Sequence, residues 1–286
     1  MYYGKVSSIT VYSKRLLSSY ESWGNFMTNS DDVKARAQQR FGQYAQGYVE
    51  SKSHAAGTDL DRLIELVQAK SDWLALDVAT GGGHTALKFA PHVGKIVSSD
   101  LTMAMLEAAR NFISEQGVPN VIYSAADGEN LPFATYSFDL VTCRIAPHHF
   151  PDCFRFVQEC ARVLKPGGVF IVQDHVLPED ERAGRYIDSF ERLRDPSHHR
   201  AFAEYEWRGM FLDAGLTVEV AEIVRKNGGK MITWAERQGC TPETIEHLQV
   251  MLAQAPQAVT KWIHPRYAGT ADATFDHTYI IIMGRR

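Results

Sequence analysis

The sequence predicts a doubly wound α/β fold in which a mostly parallel sheet carries a helical cap. Short apolar runs alternate with helical patterns between about residues 73 and 174, as expected for parallel strands joined by helical crossovers. A glycine-rich turn at residues 81–83 follows the first apolar run, and the acid Asp100 closes the second. A turn and an acid at these two strand ends indicate a site for a nucleoside-containing cofactor.

Two helices are predicted before the first strand. Residues 31–51 carry Phe41, Tyr44 and Tyr48 at spacings of three and four, which place the three rings on one helix face. Residues 59–70 have the apolar spacing of a second helix. We expect residues 31–70 to form a lid over the site, with Tyr48 as its cofactor contact.

The chain after the central sheet is predicted to complete the sheet and to cover it. Residues 178–214 have an amphipathic helical pattern, and residues 216–224 and 277–283 are apolar strand candidates. Residues 231–268 between them are expected to be a helical insertion, with Thr241 capping a helix that begins at the following proline.

The glycine turn is compatible with two cofactors. From Gly81 to Ala86 it matches the relaxed dinucleotide fingerprint G-x-G-x-x-A. From Asp77 to Gly83 it reads D-x-A-x-G-x-G, the form found in methyltransferases that use S-adenosylmethionine (SAM). An acid at the strand end would repel a pyrophosphate and attract an α-ammonium group, which favours SAM. The turn alone leaves both cofactors open.

The segments that follow favour one of them. Residues 121–129 are a strand that ends in an acid, and residues 138–150 are a strand that runs into a histidine pair. Residues 154–163 follow as a helix, and residues 164–173 as a turn that leads into a further strand. In this order they resemble the class I SAM-dependent methyltransferases, most closely the ubiquinone/menaquinone methyltransferase type, over about residues 37–175. The resemblance implies a Rossmann-like sheet of seven strands, mostly parallel with one antiparallel edge strand.

The resemblance also implies which residues hold the methionine end of SAM. They are Asp77, Ala79, Gly81 and Gly83, with Asp77 acting on the ammonium group directly or through water. Ala79 stands where glycine is commoner in the family, and a methyl group is expected to be tolerated if the ligand approaches nearer Gly81.

The nucleoside end is assigned to residues that follow the next two strands. Asp100 is predicted to accept the ribose hydroxyls, with Leu101 against adenine; the alternative for Asp100 is a cap for a helix beginning near Met103. Asp127 and Gly128 are predicted to bind adenine, the alternative being a polar loop.

The fourth strand leads into candidate catalytic residues. Arg144 and Ile145 are predicted to contact the cofactor, because ligands bind at the carboxyl edge of such sheets, and Ile145 is expected to offer its backbone to the methionyl part. His148 and His149 are the candidate bases, since a neutral imidazole could take a proton from a phenol or enol. A helix cap or a buried structural imidazole is the alternative for either histidine, and an acidic acceptor would need no base.

A second histidine pair indicates an acceptor contact. His198, His199 and Arg200 could bind an anionic or phenolic acceptor, and a solvated helix start after Pro196 is an equally good interpretation. The 11 histidines show no H-x-x-x-H or H-E-x-x-H spacing, so no metal site is predicted.

Composition restricts the partners and the location. The net charge of −4 and the absence of a basic stripe argue against nucleic acid, which leaves a small-molecule acceptor. Four cysteines without C-x-x-C spacing, and no apolar run of about 18 residues, favour a cytoplasmic protein without a membrane span. Residues 1–30 are expected to be a flexible leader; a transit peptide, or a start at Met27, are the alternatives.

The predicted function is SAM-dependent methyl transfer to a small organic acceptor, with carbon or phenolic oxygen favoured. The predicted domains are a lid (31–70), a SAM-binding core (71–176), and an acceptor cap with the C-terminal strands (177–286). A SAM-binding protein without catalysis and a nicotinamide-dependent oxidoreductase are the alternatives. The acceptor and the oligomeric state do not follow from the sequence.

Overall fold

The computed structural model describes residues 30–50 and 58–286, and for residues 44–50 and residue 58 it describes the backbone alone. The predicted leader therefore lies outside the described residues, apart from its last residue. The side chain of Tyr48 also lies outside them, although its backbone belongs to the first helix.

Two helices precede the sheet, as predicted. Helix α1 spans Ser30–Glu50 and helix α2 spans Thr58–Val67. Helix α2 buries Leu60 and Leu63, which are one turn apart and face the sheet.

The central part of the chain alternates strands with helices. The strands are β1 (Leu74–Val78), β2 (Lys95–Asp100), β3 (Val121–Ala125), β4 (Phe138–Arg144) and β5 (Leu164–Leu177). The helices are α3 (His84–Phe89), α4 (Met103–Glu115) and α5 (Cys153–Val163), and short 3-10 turns lie at Ala90–His92 and Pro147–His149.

The predicted long helix over residues 178–214 is interrupted, and this is a correction. Helix α6 spans Glu181–Arg194, strand β6 is Phe202–Ala203, and helix α7 spans Glu204–Asp213. The helix stops because Pro196 cannot continue the helical hydrogen-bond pattern, and the Asp195 carboxylate accepts the Ser197 N–H at 2.9 Å instead.

The remaining chain forms the end of the sheet and a helical insertion, as predicted. Strands β7 (Thr217–Lys230) and β8 (Thr274–Arg285) enclose helices α8 (Met231–Glu236), α9 (Pro242–Ala253) and α10 (Gln257–Ile263). The N-terminal cap of α9 is the predicted one, because the Thr241 hydroxyl accepts the Thr244 N–H at 3.2 Å.

The sheet order is β3-β2-β1-β4-β5-β8-β7, and β6 pairs separately with β5. Strands β1 to β5 pair in parallel, whereas β8 runs antiparallel to both β5 and β7. The predicted fold class is confirmed, with the antiparallel strand lying one place in from the edge. The order reverses between β1 and β4, where such sheets bind ligands.

Alternate residues of the strands enter two cores. Val141 and Ile282 pack under α5 and α7 on one face, whereas Leu140 and Ile281 pack under α2 and α3 on the other. A third cluster joins α6 to the helices of the insertion and forms the cap, with Phe190 stacked on Trp234. No helix within residues 30–50 and 58–286 is long and apolar enough to cross a membrane.

Candidate active site

A cavity lies at the carboxyl ends of β1, β2 and β4. It measures about 990 Å³ and is covered by α1. Predicted cofactor residues that line it are Ala79, Gly81, Asp100, Leu101, Asp127, Gly128, Arg144 and Ile145. The structure thus brings together eight residues that are spread over the chain from 79 to 145.

The glycine turn divides its residues between the cavity and the core. Ala79, Gly81 and Gly83 have φ angles of +53°, +54° and +84°, in the left-handed region that favours glycine. Gly81 lines the cavity, and a Cβ there would have no atom within 4 Å. At Gly83 a Cβ would lie 2.9 Å from the Cδ1 of Ile113 in α4. Gly83 therefore permits the packing of α4 against the turn and does not line the cavity, so its ligand contact stays a prediction.

Asp77 lies beneath the turn and does not line the cavity. Its two carboxylate oxygens accept the hydroxyls of Thr80 at 2.6 Å and Thr142 at 2.7 Å, and it is 1% exposed. Burial raises the pKa of Asp77 to about 6, although both hydroxyls lower it. The predicted direct contact with an ammonium group is not present in this geometry, because the side chain is directed at the threonines.

Asp100 faces the cavity from the end of β2. One carboxylate oxygen accepts the Gly81 N–H at 3.0 Å and the other accepts the Thr102 N–H at 2.8 Å. Asp100 therefore fixes the glycine turn and also supports the start of α4, which was the alternative interpretation. Each oxygen has a second lone pair, so the carboxylate can still accept hydroxyl groups from a ligand.

Helix α1 covers the cavity through polar contacts. The Lys34 ammonium lies 2.7 Å from Asp127 and 2.6 Å from Glu129, and the Gln38 amide donates to the Leu101 carbonyl at 3.1 Å. The predicted adenine acceptor Asp127 is therefore also the anchor of the covering helix. Lys34 was not identified from the sequence, because an isolated lysine on a helix carries no signal of its own.

The end of β4 contributes a cation and a constrained backbone. The Arg144 guanidinium, 5% exposed at its side chain, lies 3.2 Å from Asp59 of α2 and donates to the Thr85 hydroxyl. Ile145 has a φ of +53°, and its N–H donates to the Gln173 carbonyl at 2.7 Å. Because this bond fixes Ile145, its backbone lines the cavity in one defined conformation.

The two candidate bases occupy different places. His149 lines the cavity, its ring 4.9 Å from that of Phe41, and its Nδ1 is 3.0 Å from the Ser197 carbonyl. His148 is buried behind it, where its Nδ1 lies 2.6 Å from Asp174. His148 does not line this cavity, and its role as a base stays a prediction.

A second cavity of about 540 Å³ lies between α6, the insertion and the ends of β5 and β8. Of the predicted acceptor residues, His198 lines it, held by Asp188 at 2.7 Å. His199 and Arg200 line neither cavity. The Arg200 guanidinium is directed to Glu206 at 2.5 Å, and the acceptor contacts of these two residues stay a prediction.

Imidazole rings separate the two cavities. The His148 ring centroid is 4.0 Å from that of His149, 4.8 Å from that of His175 and 5.2 Å from that of His198. Burial lowers the pKa of His148, His149 and His175, which favours the neutral form of these three rings. Burial also raises the pKa of Asp174 to about 7. A layer of four histidines thus lies between the first cavity and the second.

Comparisons with known proteins agree with this architecture. The family described as "Methyltransferase domain" matches residues 76–172. The uncharacterized methyltransferase YcgJ of Bacillus subtilis is 42% identical over 171 residues, which are 60% of this chain and 68% of YcgJ. The ubiquinone/menaquinone biosynthesis C-methyltransferase UbiE of Saccharophagus degradans is 31% identical over 131 residues, 44% of this chain and 53% of UbiE.

A solved structure extends the likeness beyond the central sheet. The crystal structure of a candidate methyltransferase from Bacillus halodurans C-125 aligns with a TM-score of 0.77 at 36% identity. The alignment covers 80% of this chain and 99% of that protein. These relatives favour the methyltransferase interpretation over the nicotinamide-dependent one. The chain therefore belongs to the methyltransferase-domain family, and its fold is that of the class I SAM-dependent methyltransferases.

Proposed function

We propose that this chain transfers a methyl group from SAM to a small organic acceptor, at a carbon or a phenolic oxygen. The observation that supports this proposal most strongly is the first cavity. It combines a glycine turn open to a ligand with carboxylates at two neighbouring strand ends, Asp100 and Asp127. The family supports methyl transfer, and the acceptor class is our inference from the two cavities.

The residues of the first cavity fit SAM. Asp100 would accept the ribose hydroxyls. Asp127 and Gly128 would bind adenine once Asp127 exchanges its contact with Lys34 for one with the ligand. The open surface at Gly81 would receive the methionyl part, because a ligand can approach its backbone there without meeting a side chain. SAM supplies an electrophilic methyl group on its sulfonium.

Charge at the methionine end also fits an amino acid moiety. Arg144 is a buried cation at the cavity wall and would attract the methionyl carboxylate. Asp77 lies below the same turn and would act on the ammonium only through the field of its carboxylate. Since its contacts are to Thr80 and Thr142, we assign Asp77 first to positioning the turn.

The acceptor end is assigned to the wall that carries Phe41, His149 and Phe150. Two phenyl rings and one imidazole suit an apolar molecule with a single acidic hydroxyl. A proton on Nδ1 of His149 would be donated to the Ser197 carbonyl, which leaves Nε2 to accept a proton from the acceptor. His148, held by Asp174, is a positioning residue for His149.

The cofactor assignment can be tested by titration with S-adenosylhomocysteine (SAH). Asp100→Ala should weaken SAH binding by about tenfold or more, since charge-assisted hydrogen bonds contribute on the order of 1.5–3 kcal/mol. Asp139→Ala is the matched control: Asp139 also accepts a backbone N–H, from Leu74 at 2.9 Å, but at the opposite edge of the sheet. Equal affinities for the two variants would remove Asp100 from the site.

Catalysis requires a second measurement. Methyl-labelled SAM is incubated with the protein and a metabolite extract, and products are resolved by mass. We expect a labelled product of low molecular mass whose fragmentation identifies the methylated atom. Absence of label together with tight SAH binding would support the alternative of a SAM-binding protein without catalysis.

A further inference from the structure

A set of ligating side chains lines the second cavity, apart from the proposed SAM site. His175 lies near the end of β5, His277 lies on β8 and Glu191 lies on α6. One ligand atom from each residue lies within 4.8 Å of those of the other two. The Nδ1 of His277 is 3.9 Å from the Oε1 of Glu191, too far for a hydrogen bond.

The fold explains why three distant residues converge. In the antiparallel pair β5·β8, His175 is opposite Tyr279. His277 precedes Tyr279 by two residues and therefore projects from the same face of the sheet. Helix α6 packs across that face through Phe190, whose ring lies 5.4 Å from that of Phe275, and this contact brings Glu191 to the histidines.

The three side chains share an unusual lack of partners. Glu191 and His277 are 9% and 8% exposed. Among the residues that the structure describes, no hydrogen bond is made by the carboxylate of Glu191 or by the ring nitrogens of His175 and His277. A ligand that contacts all three side chains would supply the partner that their ligating atoms lack.

We propose that His175, Glu191 and His277 bind one divalent transition-metal ion of the zinc class. Two imidazoles and one carboxylate are an established ligand set for Zn²⁺ with an open fourth position. The ligand atoms would have to contract to separations of about 3.4 Å, as metal–ligand distances of about 2.1 Å require. The fourth position faces the second cavity, where an oxygen of water or of a cavity-bound molecule would complete the coordination.

The protonation states agree with this geometry. Burial lowers the pKa of His277 to about 3 and lowers that of His175, so both rings are neutral, the form that binds metals. Burial raises the pKa of Glu191, with Arg194 opposing the rise and Asp188 and Asp195 adding to it. A bound cation would hold the Glu191 carboxylate in its ionised form.

This proposal changes the expectation drawn from the sequence. No metal site was predicted because no local histidine spacing suggested one. The three residues lie on two strands and a helix that are far apart in the chain, so only the folded structure places them together.

Cobalt is a suitable probe because Co²⁺ replaces Zn²⁺ and absorbs visible light. The full chain, without an affinity tag and treated with a chelator, is titrated with Co²⁺ while absorbance and heat are recorded. We expect one Co²⁺ per chain, displaced by Zn²⁺. Glu191→Gln and His277→Ala should weaken binding by roughly tenfold or more.

His247→Ala is the matched control, since it removes an exposed imidazole from α9 and should leave Co²⁺ affinity unchanged. Glu191→Gln keeps the size of the side chain, and a cooperative urea unfolding transition shows that the variant is folded. Absence of stoichiometric Co²⁺ binding, or equal affinity in wild type and both ligand variants, would overturn the proposal. Metal titration does not depend on methyl transfer, so this proposal and the proposed function can fail separately.

Discussion

Two glycines of the same turn should respond differently to substitution by alanine. Gly83→Ala should mainly lower the stability of the fold, and Gly81→Ala should mainly weaken cofactor binding. At Gly83 a methyl group would lie 2.9 Å from Cδ1 of Ile113 and 3.0 Å from Cβ of Ala109. Overpacking costs about 1–3 kcal/mol, and a left-handed alanine costs about 1–2 kcal/mol more. The free energy of unfolding of Gly83→Ala should therefore fall by about 2–5 kcal/mol. Gly81→Ala carries the left-handed cost alone, because no atom lies within 4 Å of the added methyl group.

Urea unfolding of both variants measures the stability difference, and calorimetric titration with SAH measures binding. Gly81→Ala should bind SAH about tenfold more weakly or worse, equivalent to about 1.4 kcal/mol, because its methyl group lies at the cavity surface. Gly83→Ala should bind SAH nearly as well as wild type while it is folded. If both variants lose equal stability, or if Gly83→Ala loses more affinity than Gly81→Ala, the division of the turn is refuted.

Three further outcomes follow from particular residues. Burial raises the pKa of Asp77 from 3.8 to about 6, so between these pH values the folded chain holds a proton that the unfolded chain has released. The free energy of unfolding should therefore fall by up to about 3 kcal/mol as the pH rises from about 4 to above 6. Asp77→Asn should remove this fall, which urea unfolding below and above pH 6 would detect; an unchanged pH slope would contradict it. Ala79→Gly should be neutral or stabilising by up to about 1 kcal/mol, because the φ of Ala79 is +53°. Ala108→Gly in α4 is the control and should cost about 0.5–1 kcal/mol. If urea unfolding shows that both variants lose the same stability, the backbone at Ala79 is not strained. His149→Ala should lower turnover by about 10²-fold or more without loss of SAH affinity. Because burial lowers the pKa of His149, the turnover of the wild type should be maintained below pH 6.5. Undiminished turnover in the variant would exclude His149 as a base.

The cofactor cavity was predictable in outline because its residues follow the ends of strands. Asp100 and Asp127 each close an apolar run, and parallel strands bring their carboxyl ends to one edge. The same reasoning could not separate Gly81 from Gly83. Their local conformations are similar, and only the contact of α4 with the turn, through Ile113, distinguishes them.

The parts that could not be predicted depend on contacts between distant segments. The Lys34 contact with Asp127 joins α1 to the sheet across most of the N-terminal half, and no local pattern marks it. The second cavity requires α6 to stop at Arg194, and the amphipathic spacing of residues 178–214 hid that stop. The sequence pattern also gave His148 and His149 equal weight, although a single turn places one at the cavity and the other behind it.

The conformation of Ile145 has a consequence for attempts to stabilise this protein. A β-branched side chain rarely adopts a φ of +53°, and such strain costs on the order of 1–3 kcal/mol. The backbone keeps this conformation because the N–H of Ile145 donates a hydrogen bond to the Gln173 carbonyl. Stabilising substitutions at Ile145 would therefore be easy to select and would also release the backbone at the cavity. Directed evolution for heat resistance alone should accumulate changes at this position, and such variants should lose activity as they gain stability.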